Sequence, residues 1–138
     1  MNDQLYSKQL LRLAASAVGA GRLVPCDVSG SAHNPICGDR INVTLNLKED
    51  RVTEVAHETR ACVLTQASAS ILGAHLRGEN RQAVENLYRQ VSAMLQNGQV
   101  PPAPFSDFGA LLGVATHSNR HKCVLLPLDA VLDALSEP

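Results

Sequence analysis

The tripeptide Cys37-Gly38-Asp39, inside "HNPICGDRINVTL", sets a thiol and a carboxylate two residues apart where a loop turns into an alternating apolar run. In extended backbone, side chains at i and i+2 point the same way, so Cys37 and Asp39 face one point. A thiolate and a carboxylate aimed together form half of a metal site. A turn cysteine beside a solvated aspartate is the other reading. Two further thiols stand at element junctions: Cys62 precedes a run rich in Ala and Leu, and Cys123 lies next to the start of the last helix, just after Arg120, His121 and Lys122. A thiol in a helix's first turn has its thiolate stabilised by the dipole and by backbone N–H groups that lack a helical partner. Three thiolates and a carboxylate leave surplus negative charge on a divalent ion, which cations at Arg60, Arg120 or Lys122 would offset. The separations between Cys37, Cys62 and Cys123 match no zinc-finger spacing, and buried, inert cysteines are common. Residue types alone therefore leave both a four-donor site and a set of structural thiols open.

The elements that must position these residues follow from periodicity. Leu5, Leu10, Leu11, Leu13, Ala14 and Val18 recur at near-helical spacing over residues 3–18, with Asp3 as N-cap and Gly19 and Gly21 as the stop. Residues 22–30 read as a short strand broken by Pro25 and Gly30. "RINVTLNL" alternates, with Ile41, Val43, Leu45 and Leu47 on one face and Asn42, Thr44 and Asn46 on the other. "KED" is a tight turn, and "RVTEVAHETR" completes an antiparallel hairpin. "CVLTQASASILGAHLRG" is a helix whose small residues allow close packing on a sheet. "NRQAVENLYRQVSAMLQNG" is a second, capped by Asn80 and stopped at Asn97-Gly98. "QVPPAPFSDFG" is a loop, since proline cannot sit in a helix interior, and a short helix near 106–113 follows. The last helix begins after Pro127, a residue suited to a first turn. Strands first and helices later make the class α+β. Cys26 reads as a packed strand thiol, and His33, His57, His75 and His117 as surface or helix residues.

At 138 residues the chain reads as a single domain, 1–138, able to bury roughly 70% of its unfolded surface. Aromatic residues are 3% with no Trp, and the net charge is -1. These exclude a base-stacking platform and a basic footprint, so no nucleic-acid partner is expected. No apolar run approaches a membrane span, and the amphipathic N-terminus does not read as a secretory signal. The expected location is the cytoplasm, where the four cysteines stay reduced.

Taken in order, "NPICGDRINVTLNL", "RACVLTQASASILGAHLRG" and "RHKCVLLPLDAVLDAL" resemble the iron–sulfur cluster scaffold family, the group of IscU, SufU and NifU N-terminal domains. The resemblance covers most of the chain and implies a small antiparallel three-stranded sheet packed against a layer of helices, the SufE/NifU-like arrangement. It also implies that Cys37, Cys62 and Cys123 are the ligand cysteines and Asp39 the motif aspartate. In such proteins these hold a [2Fe–2S] cluster or zinc, with sulfur delivered as persulfide by a cysteine desulfurase. The long stretch between Gly78 and Cys123 looks more like the SufU branch. Three departures stand out. Arg60-Ala61 replaces the glycines usual before the second cysteine. "THSNRHKC" stands where IscU proteins carry a chaperone-read Leu-Pro-Pro-Val-Lys motif. Lys122 takes the place of a His, with His121 one residue earlier.

The expected function is thus an iron–sulfur assembly scaffold that binds iron, a cluster or Zn2+ through Cys37, Asp39, Cys62 and Cys123. Cys123 is the persulfide acceptor, and apo iron–sulfur proteins receive the product. Arg60, Arg120, His121 and Lys122 support the site, and His121 competes with Asp39 as fourth ligand. Three rivals remain: a zinc-dependent sulfurtransferase using the same residues, a structural zinc domain that binds a protein, and a hydrolase built on Cys123 and His121.

Overall fold

The computed structural model describes residues 7–36 and 38–136. Helix α1 spans Lys8–Ser16, strand β1 Val28–Asn34, β2 Asp39–Lys48 and β3 Arg51–Arg60. Helices α2 (Val63–His75) and α3 (Arg81–Asn97), a 3-10 stretch Ser106–Thr116, a short 3-10 turn Ser118–Arg120 and α4 (His121–Leu135) complete the chain. The described strands form one antiparallel sheet in the order β1-β2-β3. The fold is α+β, as expected. Among the described residues no helix is long and apolar enough to cross a membrane.

Ile41, Val43 and Leu45 turn to the helices. The hairpin closes at Glu49 and Asp50, both with positive φ (53° and 67°), the backbone a two-residue turn needs to match strand twist. A register shift then opposes Asn46–Leu47 to Glu54 and Val52, leaving Thr53 over. That extra residue reverses the parity of β3, so Val52 and Val55 both face inward. It also carries His57, expected on the surface, into the buried set.

Helix α4 lies across β1 and β2, α2 packs against β3, and α1 and α3 cover α2 and α4 respectively. Leu10, Ile71, Met94, Phe108 and Leu128 are fully buried between these layers; each such side chain stabilises the fold by about 1.5–3 kcal/mol. The 3-10 stretch reaches Thr116 and buries Phe108, Leu111 and Val114, the three-residue period its geometry imposes.

Four further expectations are corrected. The cap of α1 is Ser7, whose side chain accepts from the Leu10 N–H at 3.2 Å; Asp3 lies outside the described residues. Strand β1 begins at Val28 rather than at 22. The segment before it crosses the wet face of β2, where Thr44 and Asn46 side chains take the N–H groups of Leu23 and Asp27. Cys26 belongs to that crossing and is exposed, not packed. Finally, α4 begins at His121, and Pro127 lies inside it.

Candidate functional site

Three segments meet at one end of the molecule: the start of β2, the start of α2 and the first turn of α4. Asp39 is the first residue of β2 and is buried. Cys62 is the N-cap residue of α2, and Cys123 is the third residue of α4. Gly38 turns the chain into β2 at φ +78°, and among the described residues beyond its chain neighbours nothing lies within 4 Å of where a Cβ would stand. The approach loop is fixed from the other side. The Asn34 carbonyl accepts from the Gly38 N–H at 2.8 Å, and its Oδ1 from the Ile36 N–H at 3.1 Å.

One carboxylate oxygen of Asp39 and the sulfurs of Cys62 and Cys123 all lie within 4.8 Å of one another. Donors on one tetrahedral ion, with metal–sulfur bonds of about 2.3 Å and metal–oxygen bonds of about 2.0–2.2 Å, stand roughly 3.5–3.8 Å apart, so these three are near enough to close on a single cation. Two thiols and a carboxylate fit zinc or iron: sulfur suits both, and the oxygen donor is the exchangeable member. Cys37 lies outside the described residues; its neighbour Ile36, 90% exposed, lines the same cavity.

That cavity has a volume of about 520 Å³, with Asn34, Asp39, Cys62, Cys123, Arg120 and Lys122 in its wall. The two cations thus share a cavity with the thiols. Lys122 also acts on Asp129, whose carboxyl burial pushes up and the lysine charge draws back down. Arg60 does not join them. It ends β3 and lines a separate cavity with Gly21, His57 and Gln66. His121 is turned away as well: its Nε2 lies 3.0 Å from the Ala115 carbonyl. Of the two residues that competed as fourth donor, Asp39 is in the cluster.

Both oxygens of Asp39 are engaged. Oδ1 accepts from the Cys62 backbone N–H at 3.3 Å, and Oδ2 lies 3.1 Å from Thr65 Oγ1. Cys62 makes no side-chain cap of its own. Thr65, at 3.6 Å from Cys62 Sγ, is the site residue that sequence reasoning missed. The signal lay in its position three residues into the helix that Cys62 opens, on the face shared with its N-cap.

The fold and the donor cluster define a class: small α+β proteins presenting thiols and one carboxylate from a strand start and two helix starts. Residues 5–107, which include Cys37, Asp39 and Cys62, match the NifU-like N terminal domain family, and the chain belongs to it. It is 25% identical over 133 residues to the iron–sulfur cluster assembly scaffold protein IscU of Thermotoga maritima, covering 96% of this chain and 94% of that protein. It is 31% identical over 100 residues to the zinc-dependent sulfurtransferase SufU of Bacillus subtilis, covering 72% and 68%. The crystal structure of a nitrogen-fixing NifU-like protein (N-terminal) from Brucella abortus superposes with a TM-score of 0.90 at 30% identity, over 96% of this chain and 93% of that one.

Proposed function

We propose that residues 1–138 act as one cytoplasmic scaffold domain on which an iron–sulfur cluster is assembled. Iron and sulfide are its cargo, held by Cys37, Asp39, Cys62 and Cys123. A cysteine desulfurase supplies the sulfur, and apo iron–sulfur proteins take the product. The observation that carries this reading is the convergence of the Asp39, Cys62 and Cys123 donor atoms within 4.8 Å. Kinship with scaffold proteins over nearly the full chain supports it.

In the sulfur step, the Cys123 thiolate attacks the outer sulfur of the desulfurase persulfide. A new S–S bond forms at Cys123, the donor's S–S bond breaks, and the donor cysteine leaves as thiolate. No net oxidation occurs; later reduction of that sulfur to sulfide takes two electrons from a separate reductant. Arg120 and Lys122 in the cavity wall favour the approach of an anionic persulfide. Kinship with the Bacillus subtilis sulfurtransferase favours a second reading, in which zinc is the resident ion and sulfur transfer is the whole activity.

Anaerobic reconstitution with ferrous iron, cysteine, a cysteine desulfurase and dithiothreitol separates the two. A scaffold develops visible absorption and circular dichroism with iron and sulfide bound in equal amounts. Serine at Cys37, Cys62 or Cys123 abolishes the signal. A protein that retains zinc, forms no chromophore and accelerates desulfurase turnover is a sulfurtransferase instead.

A further inference from the structure

Thr65 is completely buried and stands between all three donor residues. Its Oγ1 is 3.1 Å from Asp39 Oδ2, 2.9 Å from the Cys123 carbonyl oxygen and 3.6 Å from Cys62 Sγ. The acceptor at Cys123 is there because of Pro127. A helical carbonyl is normally taken by the N–H four residues on, and proline has none. Pro127 thus releases the carbonyl of Cys123, and Thr65 of a different helix takes it up. One turn further along α2, the Ser68 hydroxyl donates to the next carbonyl, that of Val124, at 2.7 Å. The two hydroxyls stitch α2 to α4 in the same way, but only Thr65 also touches Asp39 and Cys62. A hydroxyl carries one proton, so Asp39 and Cys123 share a single donor.

We propose that Thr65 is a positioning residue of this metal centre. Its hydroxyl holds the Asp39 carboxylate and the Cys123 backbone at fixed places around Cys62, and so sets the tightness and geometry with which a divalent cation is bound. The inference rests on the metal-centre reading given above. With Oδ2 turned to Thr65 and Oδ1 to the Cys62 N–H, the carboxylate is held at both oxygens, while one of them stays within 4.8 Å of the two sulfurs. Second partners of metal ligands commonly contribute 10–100-fold in affinity.

Cobalt(II) titration of the full chain under anaerobic conditions tests this, read by the thiolate-to-cobalt charge-transfer band and the d–d bands, alongside the Tm of the metal-free protein. Thr65→Val keeps the shape and removes the hydroxyl; it is expected to weaken cobalt binding about 10–100-fold and to shift the d–d bands. Thr65→Ser restores both. Ser68→Ala loses the matching α2–α4 bond, so it lowers Tm yet leaves the cobalt affinity and spectrum of the parent. Should Thr65→Val not fold, Thr65→Ala is read by the same criteria. Parent affinity and spectrum in the hydroxyl-free variant, or equal weakening in the Thr65 and Ser68 variants, overturns the proposal by reducing Thr65 to helix packing. A parent chain that binds no cobalt overturns the metal-centre reading, and this inference with it.

Discussion

The Asp39 carboxylate accepts a hydrogen bond from the Cys62 backbone N–H at 3.3 Å, so strand β2 supplies the N-terminal cap that α2 does not make for itself. In a capping box the carboxylate comes from the helix's own third residue. Here that position is Thr65, and the carboxylate arrives from the neighbouring sheet. Asp39 therefore has a structural role beside the one proposed for it as a metal donor. Asp39→Ala is expected to lower the stability of the metal-free protein by about 1–2 kcal/mol, the usual cost of a lost cap. Asp39→Asn keeps an acceptor of the same shape and recovers most of it. Thermal melts of the two variants without metal check this; equal Tm for Asp39→Ala and the parent would show that the cap contributes nothing.

On the proposed scaffold reading, the same residue also sets the ease of release. A carboxylate binds iron less firmly than a thiolate and exchanges more readily. A cluster held through Asp39 therefore leaves more easily than one held by sulfur alone. Asp39→Cys, which puts a sulfur donor in place of the oxygen, is expected to hold a reconstituted cluster longer against transfer to an apo iron–sulfur acceptor, by a factor of several in half-life. Loss of the scaffold's circular dichroism signal after acceptor is added measures it. Faster transfer from the variant than from the parent contradicts the exchangeable-ligand role.

How much of this was legible in the sequence depends on how local each cause is. The β2–β3 hairpin was, because strict alternation and a polar turn are short-range signals. His57 was not: the residue left over at Thr53 reverses the inward face of β3, and nothing in a propensity pattern marks such a bulge. Strand β1 was misplaced because its residues, Ser, Gly and Ala, carry little apolar signal. Its Gly30 makes room for a helix backbone that arrives a hundred residues later. Pro127 was read as a helix start because a mid-helix proline normally breaks the ladder. The compensation, a threonine on another helix, is tertiary. The donor types Asp39, Cys62 and Cys123 were visible, yet their convergence could not be read from spacing and came from the ordered motifs.

His57 gives a pH test. It is buried, with Nε2 2.9 Å from the Val18 carbonyl and Nδ1 2.8 Å from Thr59 Oγ1. Burial pushes its pKa below the ordinary value of 6.5, and the bond to Val18 offsets part of that. The unfolded chain thus takes up a proton at higher pH than the folded one. The stability His57 contributes is fully present above the unfolded value and is lost as pH falls through it toward the depressed folded value. His57→Gln retains a donor for Val18 and does not titrate. Between about pH 7.5 and pH 5 the parent's Tm is expected to fall more steeply than the variant's. Parallel curves would mean that the buried imidazole does not drive the acid loss.

The last test concerns how closely α4, which carries Cys123, is seated on the sheet. A Cβ on Gly30 would stand 2.3 Å from the Ala134 nitrogen and 2.5 Å from the Ala130 carbonyl oxygen, both backbone atoms. Neither can rotate aside, so Gly30→Ala must push α4 off β1. Overpacking of this kind costs about 1–3 kcal/mol or more, and the displaced helix carries one of the site's sulfurs with it. Gly38→Ala provides the contrast. Its φ of +78° is strained for alanine, yet among the described residues beyond its chain neighbours no atom lies within 4 Å of the added carbon, so the cost is about 1–2 kcal/mol of backbone strain. Gly30→Ala is therefore expected to lower Tm more than Gly38→Ala and to weaken cobalt(II) binding as α4 shifts. If Gly30→Ala keeps the parent's Tm and cobalt affinity, α4 has room to spare over β1, and the seat of Cys123 is not set by this close approach.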